Sequence, residues 1–341
     1  MAKAKAKSSS LVMMSDIAAL AGVSESTVSR ALAGSSLISE KTRQRVVKIA
    51  QRHGYAVNPA ARSLRRGLSH TIAVMIPLRH AHNQHFSDAF FADMLANLAD
   101  AVNARGYDLL LHRVSEGEAN WVEQPIQSRR ADGAIVIGQS LEHKALDQAA
   151  VRGVPFVVWG ARLPEQHYVS IGTDNFLGGK LATEHLIQRG RKRIAFLGDR
   201  RAPEVGERHR GYLKALADSD IRADRKLQLE IPFGADEALR SLSDLVRSGV
   251  SLDGVVAASD TIAMSAIRAL TESGLKVPAD VGVVGFDDVA MASYTLPPLT
   301  TIRQEIAPGA VLLVDKLLAI LAGEPAQSQQ MKPKLVVRAS T

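Results

Sequence analysis

The chain has 341 residues, contains no cysteine and carries a formal net charge of +7. The lack of cysteine excludes disulfide bonds, thiolate zinc sites and thiol catalysis, and it fits a reducing compartment. No apolar run approaches the roughly 20 residues that span a bilayer. The basic N-terminus MAKAKAKSSS also lacks the apolar stretch of a secretory signal. We therefore expect a cytoplasmic protein of two or three domains without membrane contact.

The positive charge is concentrated in the N-terminal fifth of the chain. Residues 1–70 contain twelve lysines and arginines against three acidic residues, a charge of +9, which leaves −2 for the remainder. A basic head on a near-neutral body is typical of a nucleic-acid-binding module joined to a second function. We predict a disordered basic tail over residues 1–12 and a DNA-binding domain over residues 13–57.

Two short helices separated by a tight turn are predicted where residues 15–32 read SDIAALAGVSESTVSRAL. Ser15 is expected to cap the first helix, and Gly22 to end it in a left-handed conformation. Ser24 is expected to cap the second helix, and Ser39 a third. Small alanines allow the first two helices to cross closely, so the pattern predicts a helix-turn-helix.

From Thr71 onward, short apolar runs alternate with helical stretches, which predicts buried parallel strands joined by helices. A second series of the same kind begins near Val169. Two successive series predict two doubly wound α/β subdomains with a cleft between them. Within a body of residues 70–341, we assign the first subdomain to about 70–168 and 303–328. The second subdomain is assigned to about 169–302 and 329–341.

The stretch SDIAALAGVSESTVSRALAG, followed by ISEKTRQRVVKIAQRHGYAVNPAARSL, resembles the lactose/galactose-repressor family of bacterial transcription regulators. The resemblance continues through the whole chain. It implies an all-α helix-turn-helix head and an α/β body of the type I periplasmic-binding-protein-like fold. It also implies a homodimer that binds a pseudo-palindromic double-stranded operator and a small-molecule effector.

The second helix of the head is the predicted DNA-reading element. Glu25 lies in its first turn, where the helix dipole favours an acid and where a carboxylate can accept from a cytosine amino group. Arg30 is the candidate for guanine, while Thr27 and Ser29 are expected to contact phosphates. The predicted DNA-contacting residues of the head are Ser15, Ser24, Glu25, Ser26, Thr27, Ser29 and Arg30.

Residues 58–69 form the predicted hinge and linker. Asn58 can cap a helix there, but the segment is too short to be a stable helix alone in water. The resemblance implies that this hinge helix orders on DNA and that Leu64 wedges into the minor groove of a kinked operator. It also makes Arg62 and Arg65 neighbours of the DNA backbone.

Several predicted effector-binding residues follow strands, at the sheet edge where open parallel sheets bind ligands. The resemblance implies that Arg208, expected to open a helix, and Asp287 hydrogen-bond the ligand, and that Phe233 stacks on its ring. Acceptors combined with apolar walls suit a sugar. The predicted ligand-binding residues are Phe90, Phe91, Trp159, Asp174, Arg208, Phe233, Asp260 and Asp287.

The sequence gives no support for catalysis. GTDNFLGGKLA departs from a phosphate-binding loop, because Asp174 replaces its first glycine and Leu181 replaces its Ser or Thr. His80, His82 and His85 are interpreted as a solvated loop instead of a metal site. We therefore expect no enzymatic activity, no cofactor and no bound metal.

We expect a repressor of a carbohydrate-utilisation operon that a sugar, such as maltose or another glucoside, releases from its operator. The alternatives are a purine-dependent co-repressed regulator, a soluble sugar receptor, and an architectural protein whose body only dimerises. The apolar stretch VLLVDKLLAILAG supports dimerisation. The lack of trailing leucine heptads favours a dimer over a tetramer.

Overall fold

A computed structural model describes two compact units of the chain, which divide between residues 69 and 70. We call them the head and the body. The described residues are 13–55, 68–77, 88–114, 120–139, 142–232 and 234–341.

The described part of the head consists of three helices around a small core. Ile17, Val28 and Val46 are fully buried in it, and the other buried members of this core are four alanines. The small alanine side chains allow the helix backbones to approach closely, as a helix-turn-helix requires. The helices are α1 (Met14–Ala21), α2 (Glu25–Leu32) and α3 (Glu40–Arg52).

The helix boundaries of the head test the predicted caps. The cap at Ser15 is wrong, because α1 begins one residue earlier and the Asp16 carboxylate accepts the N–H of Met13 at 2.8 Å. The cap at Ser24 is confirmed, since its hydroxyl accepts the N–H of Thr27 at 3.3 Å. The cap at Ser39 is also confirmed. Ser15 is therefore an exposed residue inside the first turn of α1.

The body contains two six-stranded sheets, and the predicted pair of doubly wound α/β subdomains is confirmed. All strands are parallel to their neighbours except β12, which runs antiparallel to β10. The first sheet has the spatial order β11 (Gln329–Met331), β5 (Val169–Thr173), β4 (Phe156–Trp159), β3 (Gly133–Ile137), β1 (Thr71–Ile76) and β2 (Asp108–Arg113). The second has the order β12 (Lys334–Val336), β10 (Thr300–Arg303), β9 (Gly282–Asp287), β8 (Gly254–Ala257), β6 (Ile194–Leu197) and β7 (Gln228–Leu229).

Helices cover both faces of each sheet, which explains why the central strands are continuous apolar runs. Helices of the first subdomain are α4 (Ala89–Asn103), α5 (Gln124–Gln127), α6 (His143–Val151) and α11 (Ile306–Leu321). Those of the second are α7 (Asn175–Gln188), α8 (Pro203–Asp218), α9 (Ala235–Arg247) and α10 (Asp260–Glu272). Within the described ranges, every helix falls short of the length and hydrophobicity that crossing a bilayer requires.

Two strands lie in a different sheet from the one predicted. β5 pairs with β4, with Val157 opposite Val169, so residues 169–173 belong to the first subdomain. The connection between β4 and β5 contains no helix. The missing helix interrupts the alternation of strands and helices, so the sequence pattern placed the start of the second subdomain there. β11 pairs with β5 and also belongs to the first sheet, whereas residues 329–341 were assigned to the second subdomain.

The apolar helix that supported dimerisation is α11, and its apolar face lies inside the first subdomain. Leu313 and Leu317 are fully buried against α4 and the first sheet. This amphipathic pattern therefore reflects the core, because a helix covering a sheet needs the same apolar stripe as a helix in an interface. Any dimer contact must use other side chains.

The chain crosses between the subdomains three times: after β5, after β10 and after β11. Each crossing follows the carboxyl end of a strand of one sheet. The facing ends of the two sheets therefore enclose the cleft in which the candidate site lies.

Candidate functional site

The outer surface of α2 carries the polar residues predicted to contact DNA. Val28 and Ala31 are buried, whereas Glu25, Ser26 and Arg30 are exposed. This division leaves one face of the helix for the core and the opposite face for a polar partner.

Hydroxyl groups cluster at the N-terminus of α2. The Ser24 Oγ lies 2.8 Å from the Ser26 Oγ and 2.9 Å from the Thr27 Oγ1. Hydroxyls and free N–H groups at a helix N-terminus suit contacts to phosphate oxygens. Glu25 lies within the same turn and would face the bases if this end entered a major groove. The predicted hinge residues Asn58, Arg62, Leu64 and Arg65 lie outside the described residues, as do His80, His82 and His85.

The body contains a cleft of about 830 Å³, including the space at its open mouth, between the carboxyl ends of the two sheets. Five of the eight predicted ligand residues line it together, although they are far apart in sequence. These are Phe90, Phe91, Trp159, Arg208 and Asp287.

Aromatic side chains of the first subdomain form one wall of the cleft. Phe90 and Phe91 begin α4 and meet edge to face, with ring centroids 5.4 Å apart. Trp159 ends β4 and is held by α11, which approaches so closely that a Cβ on Gly309 would lie 2.3 Å from its ring. The wall therefore offers rigid apolar surface to a ring-shaped ligand.

Arg208 extends from α8 on the opposite side of the cleft. Its Nε donates to the Asn175 Oδ1 at 2.8 Å, and its guanidinium also donates to the carbonyl of Ala258. The guanidinium carbon lies 3.7 Å from the centre of the Phe286 ring. Arg208 was expected to open its helix, but α8 begins at Pro203 and places it in the second turn.

Asp287 ends β9 and has a φ of +121°, a strained value for a non-glycine residue. Its Oδ1 accepts from the Gln304 Nε2 at 2.6 Å, and the Gln304 Oε1 accepts from the Thr173 hydroxyl at 2.7 Å. Gln304 and Thr173 flank two of the crossings between subdomains. The network therefore connects a cleft-lining carboxyl group to the segments that any movement of the subdomains would bend.

Two acidic residues in the cleft were not predicted. Asp88 caps α4 by accepting the N–H of Phe90 at 3.0 Å. Glu204 lies in the first turn of α8, and its Oε1 accepts the N–H of Gln139, from the other subdomain, at 3.1 Å. Glu204 precedes Arg208 by one helical turn. Proline is favoured at the first position of a helix, so a predicted helix start at Pro203 would have placed Glu204 on the same side of the helix as Arg208.

The remaining predicted ligand residues do not line the described cleft. Asp174 caps α7 by accepting the N–H of Leu177 at 2.9 Å. Asp260 is fully buried and accepts from the Thr301 hydroxyl at 2.5 Å and from the Val289 N–H at 2.9 Å. Phe233 lies outside the described residues.

Burial in the cleft shifts the pKa values of its carboxyl groups upwards. Burial raises the pKa of Asp287 well above its ordinary value, although the Arg208 guanidinium opposes this shift. Burial also raises the pKa values of Glu204 and Asp88, which hydrogen bonds from backbone N–H groups partly offset. Carboxyl groups of this kind exchange hydrogen bonds readily with the hydroxyls of a ligand.

Comparison with known proteins places this geometry in a family. Residues 13–58 match the model of bacterial regulatory proteins of the lacI family, and residues 183–341 match a periplasmic binding protein-like domain. The HTH-type transcriptional regulator CelR of Thermobifida fusca is 32% identical over 310 residues, covering 88% of this chain and 90% of CelR. The chain belongs to the lacI family. It is a DNA-binding transcriptional regulator of the repressor type, with an effector-binding body.

Other members of the lacI family are similar to this chain along nearly its whole length. The HTH-type transcriptional repressor PurR of Actinobacillus pleuropneumoniae serotype 3 (strain JL03) is 28% identical over 338 residues, covering 97% of this chain and 98% of PurR. The crystal structure of the Lac repressor dimer bound to operator and the anti-inducer ONPF has a TM-score of 0.85 at 27% identity, covering 97% and 99% of the chains. A CelR–cellobiose complex has a TM-score of 0.72 at 29% identity, covering 97% and 100%.

Proposed function

We propose that this lacI-family protein is a cytoplasmic repressor of a carbohydrate-utilisation operon and that a sugar in the cleft releases it from its operator. The observation that carries the proposal is the composition of the cleft. Phe90 and Trp159 supply apolar surface for the faces of a sugar ring, and Arg208, Asp287 and Glu204 supply donors and acceptors for its hydroxyls.

A glucoside is the first class of sugar to test. A structure of a CelR–cellobiose complex is similar to this chain over 97% of its length, which includes the body. Purines are the main competing class, because a PurR repressor is also similar over nearly the whole chain. Asp174, Asp260 and Phe233 stay in the proposal as residues that border or support the ligand when the cleft closes.

The proposed DNA complex is a homodimer on a pseudo-palindromic operator. Each α2 would enter a major groove at one half-site. The two hinge segments, with Asn58, Arg62 and Leu64, would meet at the operator centre. Ligand binding that changes the angle between the subdomains would separate the hinges and weaken operator binding. The network from Asp287 through Gln304 to Thr173 supports such a coupling, since it joins the ligand side to the crossings.

The experiment begins with in vitro selection of operator duplexes by the full chain. Thermal shift then screens mono- and disaccharides, cellobiose and maltose included, together with hypoxanthine and guanine. Every ligand that stabilises the protein is titrated against operator binding measured by fluorescence anisotropy. We expect a glucoside to stabilise the body and to weaken operator binding. A purine that strengthens operator binding, with no response to any sugar, would overturn the proposal in favour of co-repression.

Asp287→Asn tests the cleft itself. Asparagine tolerates positive φ, so the substitution removes the charge without adding backbone strain. Loss of a hydrogen bond that leaves a buried polar group unsatisfied costs about 1–3 kcal/mol, so we expect sugar affinity to fall by roughly tenfold. Operator binding without sugar should remain unchanged. An unaltered sugar affinity would show that the ligand binds elsewhere.

A further inference from the structure

The cleft contains more acidic than basic side chains. Asp88, Glu204 and Asp287 line it, whereas Arg208 is the basic side chain among its described lining residues. The hydrogen bonds of Arg208 go to two neutral acceptors, the Asn175 amide oxygen and the Ala258 carbonyl. The guanidinium is thus already engaged in holding α7 and α8 in place. These bonds use two of its five N–H donors, and this one cation faces three carboxyl groups in the cleft.

The helix N-termini around the cleft are also occupied by acids. Such N-termini ordinarily attract anions, because their free N–H groups and the helix dipole are positive. Here each of the four carries its own carboxyl group in the cap or first turn. They are α4 with Asp88, α7 with Asp174, α8 with Glu204 and α10 with Asp260.

The Glu204 carboxyl group reaches across the cleft to the opposite subdomain. Glu204 belongs to the second subdomain, yet its carboxylate accepts the N–H of Gln139 from the first at 3.1 Å. Asp88 faces the other way, with its Oδ2 3.5 Å from the Thr261 hydroxyl of the second subdomain. A ligand between the subdomains therefore meets a carboxyl group on each side.

We propose that the cleft selects its effector by charge, accepting uncharged sugars and rejecting their carboxylate and phosphate counterparts, and that Glu204 is the principal residue of this selection. The inference rests on the proposed function and adds the charge class of the sugar. A neutral sugar donates its hydroxyls to Glu204 and Asp88. A uronate or sugar phosphate places its own negative charge beside these carboxyl groups in a site shielded from water, where every ionised carboxylate repels it strongly.

The test compares matched sugars by isothermal titration calorimetry with the full chain. Glucose is compared with glucuronate and glucose 6-phosphate, and cellobiose with cellobionate. We expect the neutral sugar of each pair to bind at least about tenfold more tightly than the anionic sugar. The repulsion between two like charges inside a protein is large enough to weaken binding by that factor. In the Glu204→Gln variant, the ratio of neutral-sugar affinity to anionic-sugar affinity should fall by about fivefold or more, mainly because the anionic sugar binds more tightly.

Glu207→Gln is the matched control, since it removes the same charge from the same helix. Glu207 forms an ion pair with Arg210 and does not line the described cleft. Glu207→Gln should leave the ratio of neutral-sugar affinity to anionic-sugar affinity unchanged. Asp88→Asn is a second variant that keeps the cap of α4, because asparagine is an equally good cap, and it carries the same expectation if Glu204→Gln does not fold.

The possible failures are distinguishable. Anionic sugars that bind wild-type protein as tightly as neutral ones would overturn the charge selection while leaving the sugar effector in place. An equal ratio in Glu204→Gln and Glu207→Gln would overturn the role of Glu204. Failure of every sugar, neutral or anionic, to bind would overturn the proposed function together with this inference.

Discussion

At the scale of single residues, Glu25 is the position at which we expect the head to read a base. The residue is exposed in the first turn of α2, directly after the Ser24 cap. A carboxylate is stabilised there by the helix dipole, and it is also at the end of the helix that would approach the bases. Both roles are compatible, because the cap is supplied by the Ser24 hydroxyl and leaves the Glu25 carboxylate free for a base.

Glu25→Gln separates the two roles. If the carboxylate accepts from a cytosine amino group, the substitution should relax the choice at one base pair of each half-site, with a discrimination loss of about 1–3 kcal/mol. Affinity for non-specific duplexes should change little. Selection of operators from randomised duplexes by wild type and variant measures the change. Uniform weakening across all sequences would instead show that Glu25 only supports the helix.

Asp260 makes stability depend on pH. Burial raises its pKa from the ordinary value of 3.8 to about 7. The folded state therefore binds a proton that the unfolded state has lost, and the stabilisation present below about pH 4 disappears as the pH rises through 7. We expect the free energy of unfolding of Asp260→Asn to fall less than that of wild type between pH 5 and 8. Denaturant titrations measure this difference.

Asp244→Asn serves as the control for the pH experiment. Asp244 is exposed on α9 and pairs with Arg247 in solvent. Its substitution should leave the slope of stability against pH unchanged. Parallel pH profiles for wild type and Asp260→Asn would contradict the assignment of this dependence to Asp260.

At the scale of elements, the contact between α7 and α8 determines the position of the side of the cleft that the second subdomain forms. A Cβ on Gly179 would lie 2.0 Å from the carbonyl oxygen of Arg208, and one on Gly211 would lie 2.0 Å from that of Phe176. The two helices touch through their backbones at both glycines. α8 carries Glu204 and Arg208, so the spacing of the helices controls the position of both of these cleft-lining side chains.

Gly179→Ala should push α8 away from α7. Overpacking of this kind costs about 1–3 kcal/mol of stability. Because Arg208 and Glu204 move with the helix, we also expect sugar affinity to fall by more than the loss of stability alone would cause. Chemical denaturation and calorimetry measure the two effects. Gln188→Ala, an exposed substitution on α7, should alter neither, and an unchanged sugar affinity in Gly179→Ala would show that α8 does not set the site.

The elements also show what a sequence pattern can and cannot predict. The period of apolar residues located the strands, and the acids after them predicted that Asp287 would face a cleft. Pairing partners are not encoded in that period, so β5 was assigned to the wrong sheet. Glu204 was missed because α8 was started too late, and the apolar stripe of α11 could not be distinguished from an interface. Phe90 was found through the family resemblance, whereas Trp159 was found because it follows a predicted strand.

At the scale of the whole molecule, operator binding by a dimer requires an apolar surface that the monomer leaves uncovered. Most of the apolar face of α11 is buried in the core, although Val311 is 41% exposed. The segment after β9 exposes three large apolar side chains instead. Met291 is 56% exposed, Tyr294 78% and Leu296 91%. In the proposed operator complex, a second copy of the chain would cover this surface.

Leu296→Asp tests whether this surface holds the dimer. The side chain contributes little to the monomer because it is nearly fully exposed, so folding and sugar binding should remain intact. A charge placed in a dimer interface should shift the protein to monomers in sedimentation velocity. Operator affinity should fall by about tenfold or more, because two heads on one dimer bind adjacent half-sites at high effective concentration. Val151→Asp introduces the same charge at another exposed apolar position, 68% exposed in α6, and should leave the dimer unchanged. A Leu296→Asp protein that remains dimeric and binds operator normally would place the interface elsewhere on the body.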